Sequence, residues 1–308
     1  MPGLEAHRPV APPHPRSLLT TARICVVFAT RGRPVLLQAA VQAMRLQTLR
    51  PRSIIVSCTE AGDAGAVASP EVTLVIGARG LAAQRNAALR QVPYGTDIVV
   101  FFDDDFLPRA DWLAAVASLF EREPTIGAIT GTLVADGIKG PGLSLAAARR
   151  LLAAAPARPD ERLHESYVPY GCNMAFRAAA AAGRRFDERL VLYGWLEDRD
   201  FGAGLERSGY RIVKTTAALG VHLGAKLGRV SGRRLGYSQV INPLYLCRKG
   251  TMPALAMLDH LARNVARNAL GVFRPEPFID RRGRFRGNLR GLADALRGIL
   301  APERAADL

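Results

Sequence analysis

The sequence predicts an α/β fold built on a mostly parallel, doubly wound sheet flanked by helices, with a helical extension at the C-terminal end. Three observations carry this expectation. Strand-like and helix-like patterns alternate with short connections from Ile24 to His222, the arrangement of crossover units in a parallel sheet. One strand pattern, Ile98-Val99-Val100-Phe101-Phe102, is apolar at every position, as a strand covered on both faces must be. From Ala254 to Phe273, polar residues recur about every four positions, the period of an amphipathic helix.

The elements follow in order. Ile24–Phe28 reads as the first strand, and Pro34 suits the first turn of a helix with Leu37, Val41 and Met44 on one face. Ser53–Val56 is a second strand, and Gly62 and Gly65 mark the loop after it. Val72–Ile76 is a third, leading through Gly77 and Gly80 into a helix that contains Gln84-Arg85-Asn86. The fourth strand ends at Asp103-Asp104-Asp105, and Asp111–Phe120 is helical. Thr125–Thr132 is a further strand. The Ala-, Arg- and Pro-rich stretch 134–168 reads as an insertion or mobile loop with a helix near 143–154. Order resumes at Val168–Phe176. A helix then opens near Glu197-Asp198, followed by two short strands, Tyr210–Lys214 and Leu219–His222. The last helix is expected over roughly 286–299.

The 308 residues suffice for one large domain with an appendage. The expected division is a proline-rich tail over 1–20, a catalytic domain over 21–225 and a basic helical region over 226–308. Residues 226–308 carry 16 Lys/Arg against 6 Asp/Glu, two-thirds of the chain's +15 excess. Such a surface suits an anionic partner: a phospholipid surface, a lipid-linked diphosphate or nucleic acid. The four cysteines are widely spaced and form no zinc pattern, as in a reducing compartment. No apolar run approaches the ~20 residues that span a bilayer, and residues 1–16 lack a signal-type apolar core. The expected location is the cytoplasm, with peripheral contact to an anionic membrane.

The chemistry lies in two acidic centres. Three consecutive acids at a strand end repel one another and lose hydration, so a cation must compensate. A hard divalent ion holding a substrate diphosphate fits, because it takes oxygen ligands and keeps positions open for phosphate. One Asp would suffice to cap the next helix; three do not follow from capping. The second centre, Trp195-Leu196-Glu197-Asp198, places acids in the first turn of a helix, where the macrodipole stabilises them as anions. A carboxylate there could take the proton of an attacking hydroxyl, while Tyr193 and Trp195 offer faces for a sugar ring. His222, at the end of an apolar strand, gains meaning only if the fold brings it to the Asp triplet.

Five motifs in order resemble a family 2 glycosyltransferase of the GT-A fold. They are Ala29-Thr30-Arg31-Gly32-Arg33-Pro34, Gln84-Arg85-Asn86-Ala87-Ala88-Leu89, the Asp triplet with Pro108 and Trp112-Leu113, Gly171-Cys172-Asn173-Met174-Ala175-Phe176-Arg177, and Leu196-Glu197-Asp198. The resemblance spans roughly residues 22–250. It implies inverting transfer of a sugar from a nucleotide diphosphate donor to a hydroxyl of a glycan or lipid-linked acceptor, assisted by Mn²⁺ or Mg²⁺. By resemblance, Asp105 is the metal-binding acid, joined by Asp103 and by His222. Asp103 and Asp104 also line the nucleotide sugar, together with Thr30, Arg31, Arg33 and Arg85. Asp198 is the general base, and Glu197, Trp195 and Asn173 serve the acceptor. The chain departs from the pattern at Ser57-Cys58, where many members carry an Asp pair. It departs again at Arg31-Gly32 in place of Tyr-Asn, and at Leu196 in place of Gly.

Two other readings compete. A dinucleotide-dependent oxidoreductase would use Gly77-Ala78-Arg79-Gly80, but the glycine spacing is wrong and Asp97 precedes its strand. A non-catalytic polyanion-binding protein would use the basic C-terminal region. It leaves the acidic triplet unexplained, and with no nucleic-acid-binding motif and 6% aromatics no nucleic-acid partner is expected.

Overall fold

The computed structural model describes residues 21–156, 161–226 and 230–308; the segment 1–20, read as a tail, lies outside them. Strands β1 (Ile24–Thr30), β2 (Ser53–Cys58), β3 (Val72–Ile76) and β4 (Ile98–Asp103) form a parallel half-sheet in the order β3-β2-β1-β4. Helices α1 (Pro34–Arg45) and α2 (Leu81–Leu89) make the crossovers, and α3 (Trp112–Arg122) follows the short strand β5 (Phe106–Pro108). Alternate residues of β4 enter separate cores on the two faces. Val100 and Phe102 join Phe28 and Trp112 on one side; Val99 and Phe101 join Phe176 and Phe186 on the other. This is why that strand is apolar throughout.

Beyond β4 the sheet becomes mixed. β6 (Ile126–Asp136) and β8 (Asn173–Arg177) pair antiparallel, β8 lies antiparallel to β4 as well, and β9 (Arg211–His222) runs parallel to β6. β5 and β7 (Leu163–Glu165) pair antiparallel with β9. In place of two short strands over Tyr210–His222 there is one, whose register slips against β6 between Ile126 and Ala128, Thr130 and Thr132, and Leu133 and Ala135. Bulges keep the ladder continuous where sequence patterning breaks. Within 134–168, a helix α4 (Leu145–Ala154) falls where expected and β7 is unforeseen, while residues 157–160 lie outside the described set. The ends of β4, β6 and β9 and the start of β8 all emerge at one edge, which is where the site forms.

Helix α5 (Glu197–Arg207) carries the second acidic centre, and three longer helices follow: α6 (Gly232–Lys249), α7 (Ala254–Phe273) and α8 (Arg281–Leu296). α6 and α8 pack at backbone distance. A Cβ on Gly236 would lie 2.0 Å from the Arg284 carbonyl, and one on Gly287 2.0 Å from that of Arg233, so only glycine permits the approach. A buried polar cluster joins the three helices, with Asn268 Nδ2 donating to Gln239 Oε1 and to Asn288 Oδ1, both at 2.8 Å.

α6 and the turn after it also brace the acidic centre. Asn242 Nδ2 donates to the Trp195 carbonyl at 2.8 Å, and Arg199 Nε donates to the Thr251 carbonyl at 3.0 Å. Lys249 Nζ reaches Asp187 at 2.6 Å and Asp200 at 2.7 Å. Burial would raise the Asp187 carboxyl, but hydrogen bonds from Lys249 and Tyr245 bring it below its ordinary value. A depressed carboxylate adds stability above its unfolded value, about 3.9, and loses it as pH falls through the folded one. Lys249→Met is therefore expected to move acid unfolding to higher pH, read by circular dichroism during acid titration. An unmoved midpoint would show that solvent screening cancels the ion pair.

Candidate active site

The two acidic centres lie side by side, joined by Arg85. Its side chain is 2% exposed, and the guanidinium carbon lies 5.7 Å from the Phe101 ring centre and 5.5 Å from that of Phe186. Nη1 pairs with Glu197 Oε1, and Nη2 lies 3.3 Å from Asp103 Oδ1 and donates to the Gly171 carbonyl at 2.8 Å. Gly171 N in turn donates to Asp198 Oδ2 at 3.0 Å. A side chain at Gly171 would bring its Cβ within 3.3 Å of Asp198 Oδ2 and 3.4 Å of Glu197 Oε1. The motif resemblance places Arg85 along the nucleotide sugar. The structure instead turns its guanidinium inward, onto carboxylates from β4 and α5.

Asp103, Asp105 and His222 present ligand atoms that all lie within 4.8 Å of one another. The middle acid is left out. Asp104 is buried on the other side, accepting from Thr30 Oγ1 at 2.6 Å and from Arg33 Nη1 at 2.8 Å. Arg33 Nη1 also lies 3.7 Å from Asp105 Oδ2, so it links the Thr30–Asp104 pair to the cluster. Thr30 and Asp104, which the motif resemblance places along the nucleotide sugar, are 2% and 4% exposed. Arg31 is exposed. Burial pushes the Asp104 carboxyl up to about 6, against the pull of Arg33. Burial would also raise Asp105, but the hydrogen bond and charge of His222 take it below its ordinary value.

β9 delivers His222 beside Asp105 because its last residues pair with both β5 and β6. His222 Nε2 lies 3.4 Å from Asp105 Oδ1, and Nδ1 lies 3.0 Å from Asp136 Oδ1. Burial alone would lower this imidazole, but the two carboxylates raise it to about 10. Two hard oxygens and an imidazole nitrogen form a donor set suited to Mn²⁺ or Mg²⁺, provided the ion displaces the Nε2 proton, and Asp136 orients the ring by its second nitrogen. The residues present fit the ion.

At the other centre, Leu196 has φ +71° and Leu192 φ +62°. Left-handed backbone is strained for a branched side chain, which accounts for the glycine common at the Leu196 position in the resembled family. Here the Leu196 side chain packs against Leu190, Leu246 and Met252. Burial pushes Glu197 up to about 8 against the pull of Arg85. Burial also raises Asp198, whose oxygens accept from the Arg199 and Gly171 amides.

The structure places Asn173 in the sheet interior. It is fully buried, with Oδ1 accepting from Gly131 N at 2.6 Å and Nδ2 donating to Cys172 Sγ at 3.3 Å, so it ties β8 to β6. Trp195 is half-buried. Sequence reasoning missed Tyr170, Gly171 and Asp136 as parts of the site. Tyr170 and Tyr193 are 37% and 46% exposed. Tyr193 reads from the sequence as a sugar-facing aromatic and Gly171 opens one of the five motifs, whereas no sequence signal singles out Tyr170 or Asp136. The dinucleotide reading finds no support, since Asp97 pairs with Arg23 at the opposite end of β4.

Residues 67–183 match the model of the family described as "Glycosyl transferase family 2". Among solved structures, Staphylococcus aureus TarS 1-349 is similar with a TM-score of 0.55 at 12% identity, covering 93% of this chain and 83% of that one. The mannosyltransferase PcManGT from Pyrobaculum calidifontis, solved with GDP-Man and Mn²⁺, gives a TM-score of 0.47 at 18% identity, covering 91% and 88%. No curated protein matches the chain. The fold is of the GT-A type, and the family match supports a glycosyltransferase.

Proposed function

We propose that this chain is an inverting glycosyltransferase that moves a sugar from a nucleotide diphosphate donor to a hydroxyl of a glycan or lipid-linked acceptor. One observation carries the reading: a metal-type ligand set and a helix-borne carboxylate pair are linked through a single buried guanidinium. Residues 21–225 form the transferase unit in this proposal, and 226–308 an appended basic region beside an anionic membrane.

Asp103, Asp105 and His222 would hold a divalent cation, which when bound offsets charge on the departing diphosphate. The chain supplies the rest. Asp198 takes the proton of the acceptor hydroxyl while that oxygen bonds to the anomeric carbon. The carbon–oxygen bond to the diphosphate breaks, its electron pair leaves with the nucleotide, and attack from the opposite face inverts the centre. Arg85 keeps the carboxylates of the two centres at fixed separation. Tyr170 and Tyr193 offer ring faces and hydroxyls to a sugar.

Donor identity is tested by thermal shift with a nucleotide-sugar panel and Mn²⁺, because a ligand of the native state raises the melting temperature. The expected result is stabilisation by one nucleotide class only when Mn²⁺ is present. In Asp105→Ala the Mn²⁺-dependent part is expected to vanish; an unchanged shift would remove Asp105 from the ligand set.

A further inference from the structure

The face of the C-terminal helices that the transferase leaves uncovered is two-toned. On α7, Leu255, Leu258, Ala262, Ala266, Leu270 and Phe273 fall at steps of three and four, so they form one stripe, and all six are exposed. Leu270 is 72% and Phe273 85% exposed, whereas the buried residues of this helix are Asn268 and Gly271. Soluble helices bury their leucines, whereas here Leu255, Leu258 and Leu270 are turned outward. Beside the stripe, Arg263, Arg267 and Arg274 are exposed as well, and Asp259, an acid of the same helix, pairs with Arg263.

α8 completes the surface. Arg282 and Arg286 stand with Phe285 around a cavity of about 540 Å³, walled on the α7 side by Val272 and Phe273. Among the described residues no carboxylate pairs with Arg267, Arg274, Arg282 or Arg286. The connection between α7 and α8 leads back to the acidic site. Lys226 Nζ lies 6.0 Å from the Phe278 ring centre, and the neighbouring Ala225 amide donates to Asp105 Oδ2 at 2.7 Å.

We propose that this face docks on an anionic lipid surface: the α7 stripe enters the hydrocarbon boundary, and Arg267, Arg274, Arg282 and Arg286 meet lipid phosphates. Charge complementarity selects the occupant. Phosphates answer unpaired guanidiniums, and acyl chains answer a convex leucine and phenylalanine stripe, a pairing found together at a membrane interface. Nucleic acid would leave the stripe in water. Among the described residues no helix is long and apolar enough to cross a membrane, so the contact is lateral. The inference rests on the proposed function and extends it, by seating the acidic site beside a surface that can present a lipid-linked acceptor. Docking itself needs no donor, so it is tested apart from transfer.

The test is co-sedimentation of the full chain with phosphatidylglycerol-containing vesicles and with phosphatidylcholine vesicles, at low and high salt. Three proteins are compared: the unmodified chain, Leu270→Glu/Phe273→Glu and Arg282→Glu/Arg286→Glu. Circular dichroism and Mn²⁺-dependent nucleotide thermal shift confirm that each remains folded and binding-competent. The unmodified chain is expected to bind anionic vesicles at low salt, and each double variant to lose about tenfold or more in vesicle affinity. Failure of the unmodified chain to sediment overturns the proposal, as does equal binding by all three. Self-association abolished by Leu270→Glu/Phe273→Glu, without vesicle binding, overturns it too and assigns the face to a second copy. If docking holds while no nucleotide sugar binds, the transferase reading fails and this one stands.

Discussion

Asp198→Asn is expected to keep donor binding and lose about a hundred- to ten-thousandfold in transfer rate, the range of a general base. The substitution is nearly isosteric. The carboxamide that replaces the carboxylate keeps one acceptor oxygen for the Gly171 or the Arg199 amide, so the turn into α5 should persist. What is lost is an anion able to receive a proton. Single-turnover transfer and Mn²⁺-dependent nucleotide binding, measured on the same preparation, separate chemistry from binding. Near-normal turnover would take the base role from Asp198. Glu197 is the poorer candidate: it is 3% exposed, engaged by Arg85 through one oxygen, and raised to about 8 by burial.

The second large effect belongs to Arg85. Removing one partner from a buried charge pair costs about 3–5 kcal/mol, because the other charge remains without compensation. Arg85→Met strands both Glu197 and Asp103, so denaturant unfolding should show a loss in that range. Adding Glu197→Gln should recover part of it, and a double-mutant cycle gives the coupling directly. Arg85→Lys keeps the charge but not the planar fork that reaches Asp103, Glu197 and the Gly171 carbonyl together, so partial stability with impaired transfer is expected. If Arg85→Met is as stable and as active as the unmodified chain, the guanidinium does not join the two centres.

Much of the fold is legible in the sequence because its signals are local. β4 announces itself by apolar residues at every position, and α7 by its four-residue rhythm, which matches the observed Ala254–Phe273. The acidic triplet and the Glu197-Asp198 pair are legible for the same reason. Other features are hidden. The long β9 is interrupted in pattern by its bulges, and α6 carries glycines and Pro243 that weaken any helical signal, yet tight packing on α8 sustains it.

The roles of single residues within motifs divide less evenly. Asn173 and Thr30 look polar and available in the sequence, but in the fold each commits its side chain to a neighbouring strand or to Asp104. Asp136 stands in a stretch with no motif, and becomes an orienting partner only because β6 and β9 end side by side.

The amino-acid order by itself determined the strand and helix segments, the two acidic centres and the basic, amphipathic end of the chain, since each depends on neighbours a few positions apart. Tertiary structure alone decided that His222 joins Asp103 and Asp105, that Asp104 turns away, and that Arg85 bridges the carboxylate centres. The two carboxylates that Arg85 holds lie 18 and 112 positions from it along the chain. Such pairings follow from which strand ends share an edge of the sheet, and from the need to pair every charge taken out of water.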